Sequence, residues 1–365
     1  MKLKGILQQV PDPRGKQGQD YTLWSILSLV MVGLLCGRRG LKAAFLLGRS
    51  MTARQRNALG FMNGTTPCHA TLTETVRAID ARALADILGA LDLAAGNDAR
   101  HIAIDGKTMR ASKDGEGKAV HVLSAFCGGL QKVLGHAASR GKGMEIPDAL
   151  KLLEQLDLTG KIVTGDAMFC QKSITARIVE RGGDYILPVK DNQKTLREDI
   201  ETAFNEPVFP LSRHDGGVEK AHGRIERRII DVLPAKAAGI ADEWPTVRQI
   251  CRLRRSRQIK KNGQWREAQE TVYLITSLSP ACASPQDILK TNRHHWGIEI
   301  MHRNKDVFLG EDGYTNRNDN APANIFSLTS FVLAILKTVS SSPTRAIEYF
   351  QDDKNRAIRL LSGFH

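Results

Sequence analysis

Apolar residues recur along this chain with more than one period. Residues 22–36, TLWSILSLVMVGLLC, form the most apolar run. It is short for a bilayer span and holds two serines, so it predicts a buried core helix. In ATLTETVRAIDARALADILGALDLAAG, Leu72, Val76 and Ile79 are spaced for one helical face, and Leu84, Ile87 and Leu91 for the next. Residues 1–97 therefore predict a helical domain, with GNDAR at 96–100 as a linker.

From residue 101 the period shortens. HIAID, AVHVLSAFC and LQKVLGHAA read as strands, the last two joined at Gly128-Gly129. EIPDALKLLEQLDL predicts an amphipathic helix, KIVTGD a strand, QKSITARIVERGG a helix and DYILPVK a strand, together a mixed α/β sheet. Over 196–282, GRIERRIIDVL, TVRQICRLRRSRQI and ETVYLITSL alternate apolar and basic residues, with Asn262-Gly263 as a hairpin turn. That stretch predicts a β-rich insertion. The helical period returns in SPQDILKTNRHHWGIEIMHRNKDVF, with Ser284 as N-cap and Pro285 at the first helical position. NIFSLTSFVLAILKTV predicts an apolar helix that closes the core.

At 365 residues the chain is long for one core, and two or three domains are expected. Its 42% hydrophobic and 25% charged residues are those of a globular protein and exclude a disordered or fibrous chain. Charge changes the picture: 52 Lys+Arg against 39 Asp+Glu give +13, which points to a polyanionic partner. Eight basic residues and no acid lie between 248 and 266, Arg252, Arg254, Arg255, Arg257, Lys260 and Lys261 among them. A solvated edge strand uses such charges against aggregation; their number favours phosphate contact. The six cysteines form no C-x-x-C pair, so zinc fingers and disulfides are poorly supported and a reducing cytosol fits. The start of the chain carries Asp12 and Asp20 and does not look like a signal peptide. A cytoplasmic protein with no membrane partner is expected.

Candidate chemistry begins in IAIDGKTMR, where a strand ends in Asp105, followed by Gly106 and Lys107. KIVTGD ends likewise in Asp166. If these strands lie parallel and adjacent, the two carboxylates repel unless one is protonated or a divalent cation lies between them. A third acid, Glu299, sits in RHHWGIEIMHR. A His295–Glu299–His302 zinc site has permissible spacing but leaves both aspartates without a purpose. Two Asp and one Glu suit Mg2+ or Mn2+ instead. A Glu299–Arg303 helix pair is the duller reading of the same residues.

These segments resemble, in order, the DDE transposases of bacterial insertion sequences, in the family that includes the H-repeat-associated proteins. DPRGKQGQDYTLWSILSLV and ATLTETVRAID are similar to that family's N-terminal segment. IAIDGKTMRAS resembles its first acidic motif and KGMEIPDALKLLEQLDLTGKIVTGDAMFCQK its second. DYILPVKDNQ, HGRIERR, RHHWGIE and NAPANI follow as they do there. The resemblance implies an RNase H-like catalytic core, a mixed five-stranded sheet with flanking helices, at 98–195 and 283–340. The β-rich insertion interrupts it at 196–282, the helical domain serves DNA binding or assembly, and 341–365 form a tail. It implies Asp105, Asp166 and Glu299 as catalytic residues and ligands of two Mg2+ ions, with Mn2+ able to substitute. It implies cleavage and joining of double-stranded DNA, both terminal inverted repeats and target, by a homodimer assembled on DNA near the bacterial nucleoid. Ile300, Arg303 and Met144 depart from the family pattern.

Around that set, Lys107 either approaches a phosphate or balances Asp105. His222, Arg224 and Arg227 in AHGRIERR, and Arg293 and His295 before the Glu, are candidate DNA contacts. Trp296 is expected in the core. Lys190 and Gln193 line the cleft or a surface loop, and Glu145 opens a helix, where it favours the dipole. A plain nuclease or recombination-defective derivative, and a DNA-binding regulator indifferent to its acids, are the competing readings. A glycosidase is disfavoured by basic charge and an aromatic content of 5%.

Overall fold

A computed structural model of the chain describes residues 3–15, 19–91, 99–140, 143–206, 208–221, 223–261 and 264–363. In chain order the helices are α1 Leu3–Leu7, α2 Leu23–Leu35, α3 Leu41–Arg49, α4 Ala53–Ala58, α5 His69–Ala78 and α6 Ala81–Gly89. Strands β1 His101–Met109, β2 Val120–Cys127 and β3 Lys132–Arg140 precede α7 Glu145–Gln155. Then come β4 Ile162–Gly165, α8 Lys172–Glu180, β5 Asp184–Val189 and α9 Lys194–Asn205. Strands β6 Ser212–Ala221, β7 Arg224–Pro234, β8 Gln249–Lys261 and β9 Gln264–Thr276 follow. Helices α10 Pro285–His294, α11 Trp296–Leu309, α12 Ala321–Val339, α13 Pro343–Asp352 and α14 Lys354–Ser362 complete the chain.

Contacts divide the chain into two compact units. A helical unit comprises Met1–Asp98, Gly106–Asp148 and Ile298–His365; a sheet unit comprises Ala99–Asp105 and Ala149–Gly297. In the helical unit every residue of α2 is buried, as its unbroken apolar run demands. Helix α12 is long and apolar enough to cross a membrane, but it is buried against α2, α5, α6, α13 and β3. Its one buried asparagine, Asn324, donates to the carbonyls of Val76 and Ile79, both at 2.8 Å, and so satisfies the C-terminal end of α5. The hairpin β2–β3 pairs from Val120↔Arg140 to Cys127↔Lys132 across the turn at 128–131. Of the expected linker, residues 96–98 lie outside the described residues.

In the sheet unit the strand order is β1-β4-β5-β9-β8-β7-β6. Strands β1, β4 and β5 run parallel, and β5 through β6 alternate antiparallel. One face buries Ile186, Ile230, Val232, Cys251, Leu253 and Leu274 under Ile288 and Leu289 of α10. Helix α10 starts as expected, with a reciprocal capping box between Ser284 and Asp287 and Pro285 in the first turn.

Three local readings need correction. Helix α9 occupies the start of the stretch read as β-rich; Leu196, Ile200, Ala203 and Phe204 give it a buried helical stripe that the neighbouring strand signals obscured. Strand β6, absent from the pattern reading, has no apolar alternation and is almost wholly exposed. Strand β1 does not end at Asp105 but continues to Met109. Strands β8 and β9 pair out to Lys261↔Gln264, which frames the expected turn; Asn262 and Gly263 themselves lie outside the described residues.

Candidate active site

In the sheet unit the two aspartates occupy matched positions. Strand β1 pairs in parallel with β4 from His101↔Ile162 to Ile104↔Gly165, and Asp105 and Asp166 are the next residue on each. Neighbouring strands lie ~4.8 Å apart, so the carboxylates leave adjacent backbone positions. The glycines beside them are required by space, not by backbone conformation. At Gly165 a Cβ would come within 2.9 Å of the Phe169 ring, and at Gly106, in the helical unit, it would collide with the His121 ring.

Asp166 is exposed and His295 Nε2 stands 3.7 Å from its Oδ1. The approach of His295, with the Lys190 ammonium behind it, holds the Asp166 carboxyl below the usual range, against the effect of partial burial. His295 is itself oriented from below: Thr164 Oγ1 lies 3.0 Å from its Nδ1 and 2.8 Å from His101 Nε2. The hydroxyl has one proton. It can accept from His101 Nε2–H and donate to His295 Nδ1, or the reverse, according to the tautomers of the two rings. In the first of these arrangements His295 Nε2–H faces the Asp166 carboxylate. Asn192 and Gln193 brace the loop after Asp166 by donating to the carbonyls of Ala167 at 2.7 Å and Cys170 at 3.0 Å. Sequence reading left Gln193 between the cleft and a surface loop; the structure makes it a brace of the loop after Asp166.

A cavity of about 410 Å³ opens beside Asp166 within the sheet unit. Lys190, Arg224, Arg228, Arg255, Arg257, Arg293 and His295 line it together with Glu226, Glu270 and Trp296. Trp296 is 61% exposed, not core as expected, because it opens α11 on the cavity side. The helix ladder breaks at His295, a turn residue between α10 and α11, so His295 and Glu299 do not share one uninterrupted helix. Helical spacing alone could not show that break.

Strand alternation splits the basic stretch in two. Arg255 and Arg257 face the cavity, whereas Arg252 and Arg254 lie on the opposite face. There both reach the fully buried Asp231, at 3.1 and 3.0 Å, and Arg213 joins them at 2.6 Å. Arg252 also lies over the Phe204 ring, and Arg227, on that same face, pairs with Asp215. On the cavity side Arg255 meets Glu270 at 2.8 Å and Glu226 at 3.4 Å. Arg257 meets Glu270 at 3.7 Å and Arg224 meets Glu226 at 3.8 Å. Arg293 grips Glu219 with both terminal nitrogens, at 2.6 and 2.8 Å, and with Arg228 holds that carboxyl below its usual range. Lys260 is exposed. His222 and the side chain of Lys261 lie outside the described residues.

In the helical unit Lys107 corrects its expectation. It is buried and bonded to Asp306 and Glu311, so its ammonium is committed to a cluster and not to a phosphate. Glu299 lies exposed in the first turn of α11 and belongs to the helical unit. Among the described residues no group of three or more His, Cys, Asp or Glu is arranged to hold a metal. Asp105 and Asp166, which leave adjacent backbone positions, supply hard oxygen donors of the kind Mg2+ takes. Burial pushes the pKa of His302 down to about 3 and of His136 to about 4, so both rings are neutral at physiological pH.

Paired acids on adjacent parallel strands, beside a cavity walled with guanidinium groups, suit a polyanionic substrate. Comparison with known proteins gives the family. Residues 96–332 match the Transposase DDE domain model and residues 5–91 the DDE_Tnp_1-associated model. Protein YbfL of Escherichia coli is 31% identical over 379 residues, covering 100% of this chain and 99% of its own. "H repeat-associated putative transposase YhhI" of the same species is 30% identical with the same coverage. "Uncharacterized protein in dhlA 3'region" of Xanthobacter autotrophicus is 32% identical over 278 residues, 72% of this chain and 90% of its own. The chain belongs to the DDE transposase family.

Proposed function

We propose that this chain cuts and joins DNA at the ends of an insertion sequence, on an RNase H-like core, with Asp105, Asp166 and Glu299 as its catalytic acids. The observation that carries the reading is the matched register of Asp105 and Asp166 beside a cavity rich in arginine. Asp105 and Asp166 would hold Mg2+ ions, with Glu299 as the third donor. When bound, such ions supply Lewis-acid activation of the attacking oxygen and stabilise charge at the phosphate. Arg224, Arg255, Arg257, Arg293 and Lys190 bind the strand by its phosphates, a sequence-independent and salt-sensitive contact. His295 Nε2–H, set by Thr164, orients the Asp166 carboxylate. Trp296 offers an exposed indole on which a base can stack.

A donor plasmid carrying the gene with its own flanking DNA, purified protein and Mg2+ tests this reading. Breaks at the element boundary, joined to a second plasmid, are expected. Breaks without joining would favour the nuclease alternative, and absence of both would remove the proposal.

The carboxylates on the arginines imply a further result. Glu219 occupies the Arg293 fork as a phosphate would, so DNA must displace it. Glu219→Gln is expected to tighten binding of a random duplex by roughly threefold to tenfold and to steepen its salt dependence. Fluorescence anisotropy across a salt series checks this; unchanged affinity and slope would mean that Arg293 does not meet DNA.

A further inference from the structure

Helix α11 is poorly supplied with apolar anchors. Its buried residues are Ile298, Met301, His302, Asn304, Lys305 and Leu309, half of them polar. Apolar packing tolerates small slides of one element past another, whereas a buried charge displaced from its counter-charge is strongly penalised. The register of α11 is therefore set by what its polar residues meet.

Among these, Lys305 meets a cluster centred on Glu311, which is wholly buried. Its Oε2 accepts from Lys107 Nζ at 2.8 Å. Its Oε1 accepts from Lys305 Nζ at 2.8 Å and from the Thr329 hydroxyl at 2.6 Å. Lys305, also wholly buried, donates to Ser330 Oγ at 2.8 Å and lies over the Phe326 ring. Lys107 additionally bonds Asp306 and lies 3.5 Å from Asp312. Burial alone would push the Glu311 carboxyl up; Lys305 and Lys107 outweigh it and hold it below its ordinary value.

One carboxylate thus bridges a strand and a helix within the helical unit. Lys107 lies two residues after Asp105 on β1, and Lys305 six residues after Glu299 on α11, ~9 Å along the helix axis. We propose that Glu311 is a positioning residue, which locks β1 through Lys107 to α11 through Lys305 and so fixes the elements that carry Asp105 and Glu299. The inference rests on the assignment of those two acids proposed above.

The test uses the purified full chain. Mn2+ binding is followed by electron paramagnetic resonance, nicking of supercoiled plasmid against Mn2+ concentration, and duplex binding by anisotropy. Glu311→Gln is expected to weaken Mn2+ binding and lower nicking by about 10-fold to 100-fold, with duplex affinity unchanged. Excess Mn2+ should restore nicking partly in Glu311→Gln and not in Asp105→Asn. A role in stability alone would lower the melting temperature and leave the Mn2+ dependence of the folded protein where it was. If Glu311→Gln does not fold, Thr329→Val, which removes one donor to Oε1, should shift the Mn2+ dependence in the same direction by less. A folded variant with a wild-type Mn2+ titration overturns the proposal. If Asp105→Asn and Glu299→Gln themselves nick normally, the acid assignment has failed instead; if they are dead while Glu311→Gln is normal, only the positioning role has.

Discussion

Asp105→Asn, Asp166→Asn and Glu299→Gln are each expected to abolish plasmid nicking, a fall of about 1000-fold or more, or ~4 kcal/mol in the barrier. Duplex binding should persist. Each change keeps the shape of the side chain and removes a negative oxygen donor, so it acts on cation binding and leaves packing intact. The proposed binding surface is built from other residues: Arg224, Arg255, Arg257, Arg293 and Lys190 line the cavity beside Asp166. Removing the negative charge of Asp166, which lines that cavity, should tighten the hold on phosphates. Metal-dependent nicking that survives in purified Asp105→Asn protein would sink the acid assignment. A regulator that only binds DNA would show three silent variants.

Asp231→Asn should have the largest effect on stability, about 2–4 kcal/mol at pH 7 by urea denaturation. Its carboxylate is wholly buried between Arg213, Arg252 and Arg254, and the amide deprives all three guanidinium groups of that counter-charge. Arg213 and Arg254 are partly exposed and can turn to water, which keeps the loss below that of a fully enclosed pair. Burial raises the Asp231 pKa, but the three arginines outweigh it and the folded value lies below the ordinary one. A depressed folded value means that the stabilisation is complete above the unfolded pKa, ~3.9. It is lost as pH falls through the folded value. The difference between wild type and variant should therefore be full at neutral pH and shrink below about pH 4. A constant difference across that range would mean that the charge of Asp231 is not its source.

Much of the candidate site was legible because its signals are local. HIAID and KIVTGD are apolar strands that run into an acid, and parallel pairing then puts Asp105 beside Asp166. The alternation that separates Arg255 and Arg257 from Arg252 and Arg254 was equally present in the residue order; reading the stretch as one basic patch overlooked it. Trp296 was misplaced because a large ring is usually buried, and nothing in RHHWGIE says that α10 stops at His294. Lys107 was undecided between a phosphate and Asp105, and its actual partners lie about two hundred residues away.

The residue order by itself determined the family and most of the elements, and it singled out the acids proposed as catalytic. Periodicity, caps and turns act over a few residues, and motif order survives without any knowledge of contacts. Tertiary structure alone decided which charges remain available. The eight basic residues at 248–266 look unopposed along the chain, yet Asp231, Glu226 and Glu270 on neighbouring strands meet most of those facing them. Lys107 and Lys305 meet at Glu311 in the same way. The physical reason is range: a strand is specified by its own side chains, whereas a Coulomb partner is whichever opposite charge folding brings within a few ångströms, at any separation in sequence.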